Sequence, residues 1–504
     1  MLSILIWLPV AAALLGTLVP VRRVAGLLAL GGALGALGIT IALIADYSGR
    51  FGHLTHVTNV VWIRSLGIHY ALGVDGLNLF LVAMTTFSFA LAIGAANIRD
   101  WERPRVFFLL FALAESAVLG AFLAQDVALF VGFFDLMLIP FYLLLGIFGG
   151  PNRIAATLKL VIYTFVGSLL MLAGAVALAV LTSEHSGHPL SFALSTLAAS
   201  PLRGGTQDWI FLLFAAAFLV KMPAFPLHGW MPDAYREMPV EVLAVFSGVL
   251  SKVGAYGFLA IVLPIMPEAS VHFQMLILLL ALASVLYGSA MAFTQTSARL
   301  IAGYSSVAQL GFITLGIFAF APQGAQGAVL QMVNHGLVVA PLFLIIGLLA
   351  ARAGGSDDIR NMGGIATRAP ILATFFLIIT FATLAMPGSG NFIGEFLILL
   401  GLFKTKMVIS IIAFAGVVMA SVYALRVFIR AMHNRVGPQV NSRELSFRDG
   451  LVLVPFLLAI GLFAVYPQLQ LGRSEKSVTA SIAREQVLTG QSRETYTSRI
   501  GGGP

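Results

Sequence analysis

Hydrophobic positions in this chain come in long blocks rather than in alternation. Apolar runs of about 18 residues or more, enough to span a bilayer core of roughly 30 Å, follow one another with only short polar breaks. The blocks predict helices near 1–21, 24–46, 75–98, 106–124, 126–149, 157–182, 209–228, 239–265, 272–295, 300–320, 325–350, 370–399, 407–429 and 450–467, about fourteen in all. The fold class is therefore an all-α polytopic membrane protein. The opening Met1-Leu-Ser-Ile-Leu lacks a basic leader, and Val21-Arg-Arg stands where a small-residue cleavage site is needed, so the first block reads as a retained anchor.

Two blocks carry helix-disrupting residues at a similar point: Lys221-Met-Pro-Ala-Phe-Pro-Leu-His-Gly-Trp230 and Leu384-Ala-Met-Pro-Gly-Ser-Gly-Asn-Phe-Ile-Gly-Glu395. Proline removes a backbone donor and frees a carbonyl. Within a membrane, such groups are tolerated only when buried in protein or lining water. Interrupted segments in corresponding halves are the sequence sign of a repeat-built transporter with its site at mid-membrane. This predicts three leading helices over 1–104, a first repeat over 105–268 (helices four to eight), a second over 269–432 (helices nine to thirteen), and a last helix with a polar tail over 433–504.

Composition supports the membrane reading, since charged residues are 10% and hydrophobic ones 59% of 504 residues, against roughly 25% charged in soluble domains. About fifteen Lys and Arg fall in the odd-numbered loops and about five in the even ones, Arg50, Arg64, Arg203, Lys404 and Lys406. The positive-inside rule then places both termini on the outer side, opposed weakly by the tail's Arg473, Lys476, Arg484, Arg493 and Arg499. The net charge of +8 is thus mostly a topology signal, dispersed over loops, and nucleic acid is excluded as a partner. Cysteine is absent. That excludes disulfides, Cys-ligated iron–sulfur clusters and thiolate zinc sites, so redox chemistry belongs to a partner chain.

Against this background a few ionisable residues stand at membrane depth. Lys221 ends an apolar run, Lys252 follows one segment later, and each costs roughly 2.5 to 3.5 kcal/mol on insertion scales unless it faces protein interior or internal water. Asp135 sits mid-helix, preceded by Glu115 and Asp126. Lys159 opens the next helix with Tyr163 on the same face, placed to pair with Glu115 or Asp126. His335, Glu395 and Arg426 follow in the last third. Burial disfavours a charged lysine and a nearby carboxylate favours it, so a lysine whose acid approaches and retreats can load and release a proton. Blander roles compete at each position: Asp135 as an acid bonded to local backbone, His335 as a packing histidine, His228 as an interfacial one, Asp126 as a helix start.

At these residues the chain resembles the antiporter-like subunits of respiratory complex I, the proton-translocating NADH:quinone oxidoreductase, and among them the M-type. The likeness spans about residues 70 to 470 and rests on Gly73-Val-Asp-Gly76, Met137-Leu-Ile-Pro140, the Lys221-to-Asp233 run, Ser247-Gly-Val-Leu-Ser-Lys-Val-Gly-Ala-Tyr-Gly257, Tyr304-Ser-Ser306 and Pro387-Gly-Ser-Gly-Asn-Phe-Ile-Gly-Glu395. It implies fourteen helices in two inverted five-helix repeats, with broken helices near 221–228 and 386–394. Lys221 becomes the central lysine, Asp135 its acid partner, Lys252 the connecting lysine, and Glu395 the exit-side acid that sets this type apart from the L-type and N-type chains. His335 and Lys159 complete the expected path. The resemblance also implies L-type and N-type partner chains in an energy-converting membrane, most simply a bacterial plasma membrane, with NADH, FMN, iron–sulfur clusters and quinone held by other subunits. Three departures stand out: Asp135 where the family has Glu, Gln309 where it often has His, and Ser297 with Arg299 where it carries more charge. A subunit of a multisubunit cation/proton antiporter, or of a related membrane-bound hydrogenase, is the alternative reading.

Overall fold

The computed structural model describes residues 1–49 and 52–491. Arg50, Arg493 and Arg499 of the charge distribution lie outside the described residues. Among those described, eleven helices are long and apolar enough to cross a membrane: Arg23–Asp46, Leu79–Ala96, Pro104–Leu123, Val127–Phe148, Arg153–Ser186, Val240–Ile265, Gln274–Thr294, Ala298–Phe318, Pro322–Arg352, Met407–Met432 and Phe447–Val465. Shorter apolar helices accompany them, including Leu2–Leu18 and Pro370–Thr383.

These helices differ sharply in how deeply they are enclosed. Ala298–Phe318 is buried over 100% of its apolar window, Pro322–Arg352 over 94% and Val240–Ile265 over 89%, whereas Phe447–Val465 is buried over only 28%. Helices apolar all round belong either to a core or to lipid, so the first three form the interior of the bundle and the last lies at its rim. The rim presents Leu, Ile, Val and Phe outward, as Ile154, Leu158, Ile162 and Phe165 of Arg153–Ser186 do. Polar residues on the three enclosed helices therefore face protein, not lipid.

The two predicted interruptions are real breaks. Gly205–Lys221 stops at Lys221, and helix resumes only at Met231. In the gap Trp230 Nε1 donates to Val220 O at 3.0 Å, and Phe225 N donates to Ser284 Oγ at 2.9 Å. Pro370–Thr383 and Gly390–Thr405 are likewise separate helices, joined through Ala385 (φ 53) and Gly388 (φ 98). Asn391 Nδ2 donates to Ala382 O at 2.9 Å and Ser389 Oγ accepts from Phe392 N at 3.3 Å, satisfying backbone groups that the bilayer cannot. The spans 209–228 and 370–399 are each interrupted where the disrupting residues stand.

Two elements were not anticipated. Residues Thr55–Ile63 and Ile68–Val74 form an antiparallel hairpin turned at Gly67 (φ 62), with Val60 opposite Tyr70. Its second strand meets the bundle through Gln125 N donating to Ala71 O at 2.8 Å and His69 N donating to Asp126 Oδ2 at 3.2 Å. The supposed polar tail is helical over Gln468–Ser481 and Ala483–Leu488. It lies across the same face as the hairpin, with Arg473 Nε donating to Tyr47 O at 3.1 Å and Ser477 Oγ accepting from Gly76 N at 3.0 Å.

Candidate functional site

Lys221 occupies the last position of its broken helix and is 2% exposed. With the helix ended, its ammonium reaches across to the interrupted Val127–Phe148 helix, where Nζ donates to Phe134 O at 3.0 Å and sits 3.7 Å from the centre of the Phe134 ring. That helix breaks at Met137, between Val127–Leu136 and Leu138–Phe148. Asp135 neighbours the acceptor, but among the described residues no ion pair joins it to Lys221. One Asp135 oxygen is buried without a hydrogen-bond partner. The expected acid–lysine pair is thus close but not closed, because aspartate is one methylene shorter than the glutamate of the resemblance and the lysine has taken the adjoining carbonyl and ring face.

Lys252 is completely buried in Val240–Ile265. The helix runs as a π-helix over Phe246–Leu250 immediately before it. Such widened turns loosen the i to i−4 ladder and recur at functional positions. Here Lys252 Nζ donates to Ser247 O at 2.9 Å and to Ser251 Oγ at 3.2 Å. Ser247 Oγ in turn donates to Ser306 Oγ at 3.3 Å, which carries the polar row onto the fully enclosed Ala298–Phe318 helix.

Three residues after Ser306, on the same face of that helix, Gln309 leads on to Glu395, and the helix that bears His335 packs directly against the Lys252 helix, Gly336 against Gly248 O. His335 is buried in Pro322–Arg352, and neither of its ring nitrogens has a hydrogen-bond partner. One helical turn before it on the same face, Gln331 Nε2 donates to Gln309 Oε1 at 2.8 Å, and Gln309 Nε2 donates to Glu395 Oε1 at 2.6 Å. Gln309, which stands where the resemblance often has His, is the direct partner of Glu395. Glycines make the row possible. A Cβ at Gly394 collides with the Gln331 amide and one at Gly390 with the Asn334 amide, so only hydrogen leaves room for the amides between the helices.

Lys159 is placed elsewhere. Its ammonium pairs with Asp233 Oδ2 at 2.8 Å, and both side chains are about two-fifths exposed, 44% and 41%. The pairings expected with Glu115 or Asp126 are corrected: the geometry sets Lys159 in a half-exposed bridge between Arg153–Ser186 and Met231–Glu237, outside the buried row. Asp126 is the N-cap of its helix, accepting from Leu129 N at 3.1 Å. Glu115 is wholly buried, and neither carboxyl oxygen has a partner. His228 packs against Tyr287 at 4.9 Å between ring centres. The residues of the third departure are engaged at helix ends: Ser297 caps Ala298–Phe318 and donates to Asp357 Oδ2 at 2.5 Å, while Arg299 Nη1 donates to Met238 O at 2.9 Å.

Sequence reasoning missed the backbone acceptors Phe134 O and Ser247 O, which leave no residue-type signature. It also missed the Arg99–Glu241 ion pair, 2.8 Å long with its carboxylate 3% exposed. An acid two residues after the proline of Met238-Pro-Val-Glu241 was a usable signal there. Chemically, the row is a set of lysines, a histidine and acids, each in reach of hydroxyls, amides or carbonyls. Such groups can take, hold and release protons; among the described residues no group of three His, Cys, Asp or Glu could bind a metal ion.

Known proteins share this arrangement. A family profile described as "NADH:quinone oxidoreductase/Mrp antiporter, TM" matches residues 124–422. NADH-quinone oxidoreductase subunit M of Rickettsia typhi is 34% identical over 436 residues, 85% of this chain and 86% of that one. A chain of the respiratory complex I structure from Thermus thermophilus superposes with a TM-score of 0.88 at 31% identity, covering 97% of this chain and 100% of that one. A chain of the Mrp complex from Dietzia sp. superposes at 0.86 with 20% identity, over 97% and 98%, which shows a shared fold alone. On the profile, the identity and the extent of the match together, this integral membrane protein belongs to the M subunits of NADH-quinone oxidoreductase.

Proposed function

We propose that protons cross the membrane in this chain along the row from the half-buried Asp135 through the buried Lys221, Lys252 and His335 to Glu395. The chain is a proton-translocating membrane subunit of NADH:quinone oxidoreductase, without a redox centre of its own. The observation that carries the path is the succession of buried polar contacts on the enclosed helices: Lys252 to Ser247, Ser247 to Ser306, and Gln331 through Gln309 to Glu395. In this scheme Asp135 tunes Lys221, Lys252 and His335 pass protons along the membrane plane, and Glu395 delivers them outward. Moving one charge against 100 mV costs about 2.3 kcal/mol. A swing of roughly two pKa units, at about 1.36 kcal/mol each, matches it.

The same reading assigns fourteen helices in two inverted repeats, L-type and N-type antiporter-like neighbours, a bacterial plasma membrane with both termini outside, and NADH, FMN, iron–sulfur clusters and quinone to partner subunits. Lys159 serves this scheme only as a surface bridge. The cation/proton antiporter alternative has a shared fold and the shared family profile behind it, but the relatives that are 34% identical over most of the chain are NADH-quinone oxidoreductase M subunits. Lys221→Ala in the assembled complex tests the path: NADH-driven proton translocation in vesicles falls by roughly 100-fold, the scale set by losing a proton-transfer group. Translocation unchanged from the parent complex removes Lys221 from the path.

A further inference from the structure

We infer that Gln309 and Gln331 are positioning residues that reverse the direction of their hydrogen bonds when Glu395 changes protonation state, passing that state to the His335 end of the row without carrying a proton themselves. The inference rests on the proposed path, in which Glu395 takes up and releases protons.

An ionised carboxylate can only accept hydrogen bonds, whereas a side-chain amide presents a carbonyl at one corner and an NH2 at the other. The 2.6 Å contact therefore turns Gln309 Nε2 toward Glu395, leaves Gln309 Oε1 toward Gln331, and draws Gln331 Nε2 onto it at 2.8 Å. This arrangement leaves Gln331 Oε1 buried without a donor, and Asn334 Nδ2 and both nitrogens of His335 are also unpaired nearby on the same helix. Protonation makes the Glu395 hydroxyl a donor. Gln309 then turns its carbonyl to Glu395 and its NH2 to Gln331, whose Oε1 becomes paired and whose NH2 swings toward Asn334 and His335. The only covalent change is at Glu395: its O–H bond forms as a hydronium ion of the surrounding water gives up a proton and becomes water, and the reverse occurs on release.

The two ends thus alternate. With Glu395 ionised, the row offers His335 an acceptor, which suits an imidazolium, whose two nitrogens both donate. With Glu395 protonated, it offers a donor, which suits a neutral ring. Room for the rotation comes from Gly390 and Gly394, where any side-chain carbon collides with the Asn334 and Gln331 amides. The other ionisable groups that face the row are Tyr423, within electrostatic reach of Glu395 with its hydroxyl 3.0 Å from Ser305 Oγ, and Lys252, within reach of His335. Arg299, Arg352, Lys404 and Arg430 stand near the ends of the same packed helices.

The test uses the assembled complex with glutamine side chains carrying carbon-13 at Cδ, followed by infrared difference spectra between acid and alkaline pH. The Glu395 carboxyl band is identified by its loss in Glu395→Gln. A glutamine carbonyl band that shifts in step with it, and that disappears in Gln309→Met while the carboxyl band persists, supports the inference. Gln309→Met also moves the pH midpoint of proton translocation about one unit to the alkaline side, because a donor to the carboxylate is lost. A merely structural role lowers the rate at every pH alike. Glutamine bands indifferent to Glu395 titration in the unmutated complex, or a Gln309→Met profile that is only scaled down, overturns the inference. Unaltered pumping in Glu395→Gln overturns the path instead, so the two failures are told apart.

Discussion

Lys221 and Lys252 are both held by backbone carbonyls rather than by acids, and this determines what their neighbours can do. An ammonium bonded to Phe134 O or Ser247 O is solvated without being neutralised. Its charge state then responds to any carboxylate that approaches. For Lys221 that carboxylate is Asp135, unpaired and one methylene short. Asp135→Asn removes a neighbouring negative charge and so disfavours the charged lysine. The pH midpoint of NADH-driven proton translocation is expected to move to the acid side, and a superimposable profile contradicts the tuning role. Asp135→Glu adds reach of about 1.5 Å, one carbon–carbon bond, and is expected to keep full pumping. Asp135, Lys221, Lys252, His335 and Glu395 were legible in the sequence because an ionisable residue in an apolar run is conspicuous. The carbonyls and the hydroxyls of Ser247, Ser251 and Ser306 that connect them were not, since backbone has no letter and serine is common in any helix. Lys159 misled for the opposite reason: spacing placed it on a helix, but the half-exposed Asp233 bridge depends on a loop return that no local pattern encodes.

At the scale of elements, hydropathy located the membrane helices well and failed wherever burial is achieved by polar residues. The Gln468–Ser481 helix buries Gln470, Ser474, Ser477, Val478 and Ser481, a helical stripe almost without hydrophobic residues, so the segment read as a polar tail. The hairpin was missed because Val60, Val61 and Trp62 stay exposed, and strand recognition relies on a half-buried alternation. Close packing of Pro322–Arg352 on Gly390–Thr405 is a third case. A Cβ at Gly327 lies 2.8 Å from Gly394 O and 2.7 Å from Ile398 N, both backbone atoms that cannot give way. Gly327→Ala therefore pries apart the helices that bear Gln331 and Glu395, at about 1–3 kcal/mol of overpacking. The expected outcome is a lowered Tm of the complex together with impaired pumping. A Tm unchanged within error means that the two helices can separate freely.

Across the whole molecule, the C-terminal helices act as a strap over one face of the bundle. Arg473 reaches Tyr47, Gln470 Nε2 donates to Val329 O at 3.2 Å, Arg484 Nη1 donates to Pro264 O at 3.1 Å, and Gln486 Nε2 donates to Phe320 O at 3.1 Å. One segment thus ties the ends of the second, eighth and tenth of the predicted helices to the eleventh. Inside this strap Glu485 is fully buried with no partner from another residue for either oxygen, and burial pushes its carboxyl up from 4.5 to about 8, with its own backbone amide and then Arg484 opposing. The groups of the packed Pro267–His272 turn are already engaged, Glu268 accepting from Gly204 N and His272 pairing with Asp208. A carboxyl raised in the docked state binds its proton more tightly there than when released. Docking strength is accordingly complete below pH 4.5, declines as pH rises toward about 8, and is flat above it. Hydrogen exchange over residues 468–489, corrected for intrinsic rates, should show protection falling between pH 5 and pH 8 in the parent chain. Glu485→Gln, neutral at every pH, should hold the protection level across that window. A parent strap equally protected at both pH values means that Glu485 finds a partner on docking and that its proton has no part in closing the strap.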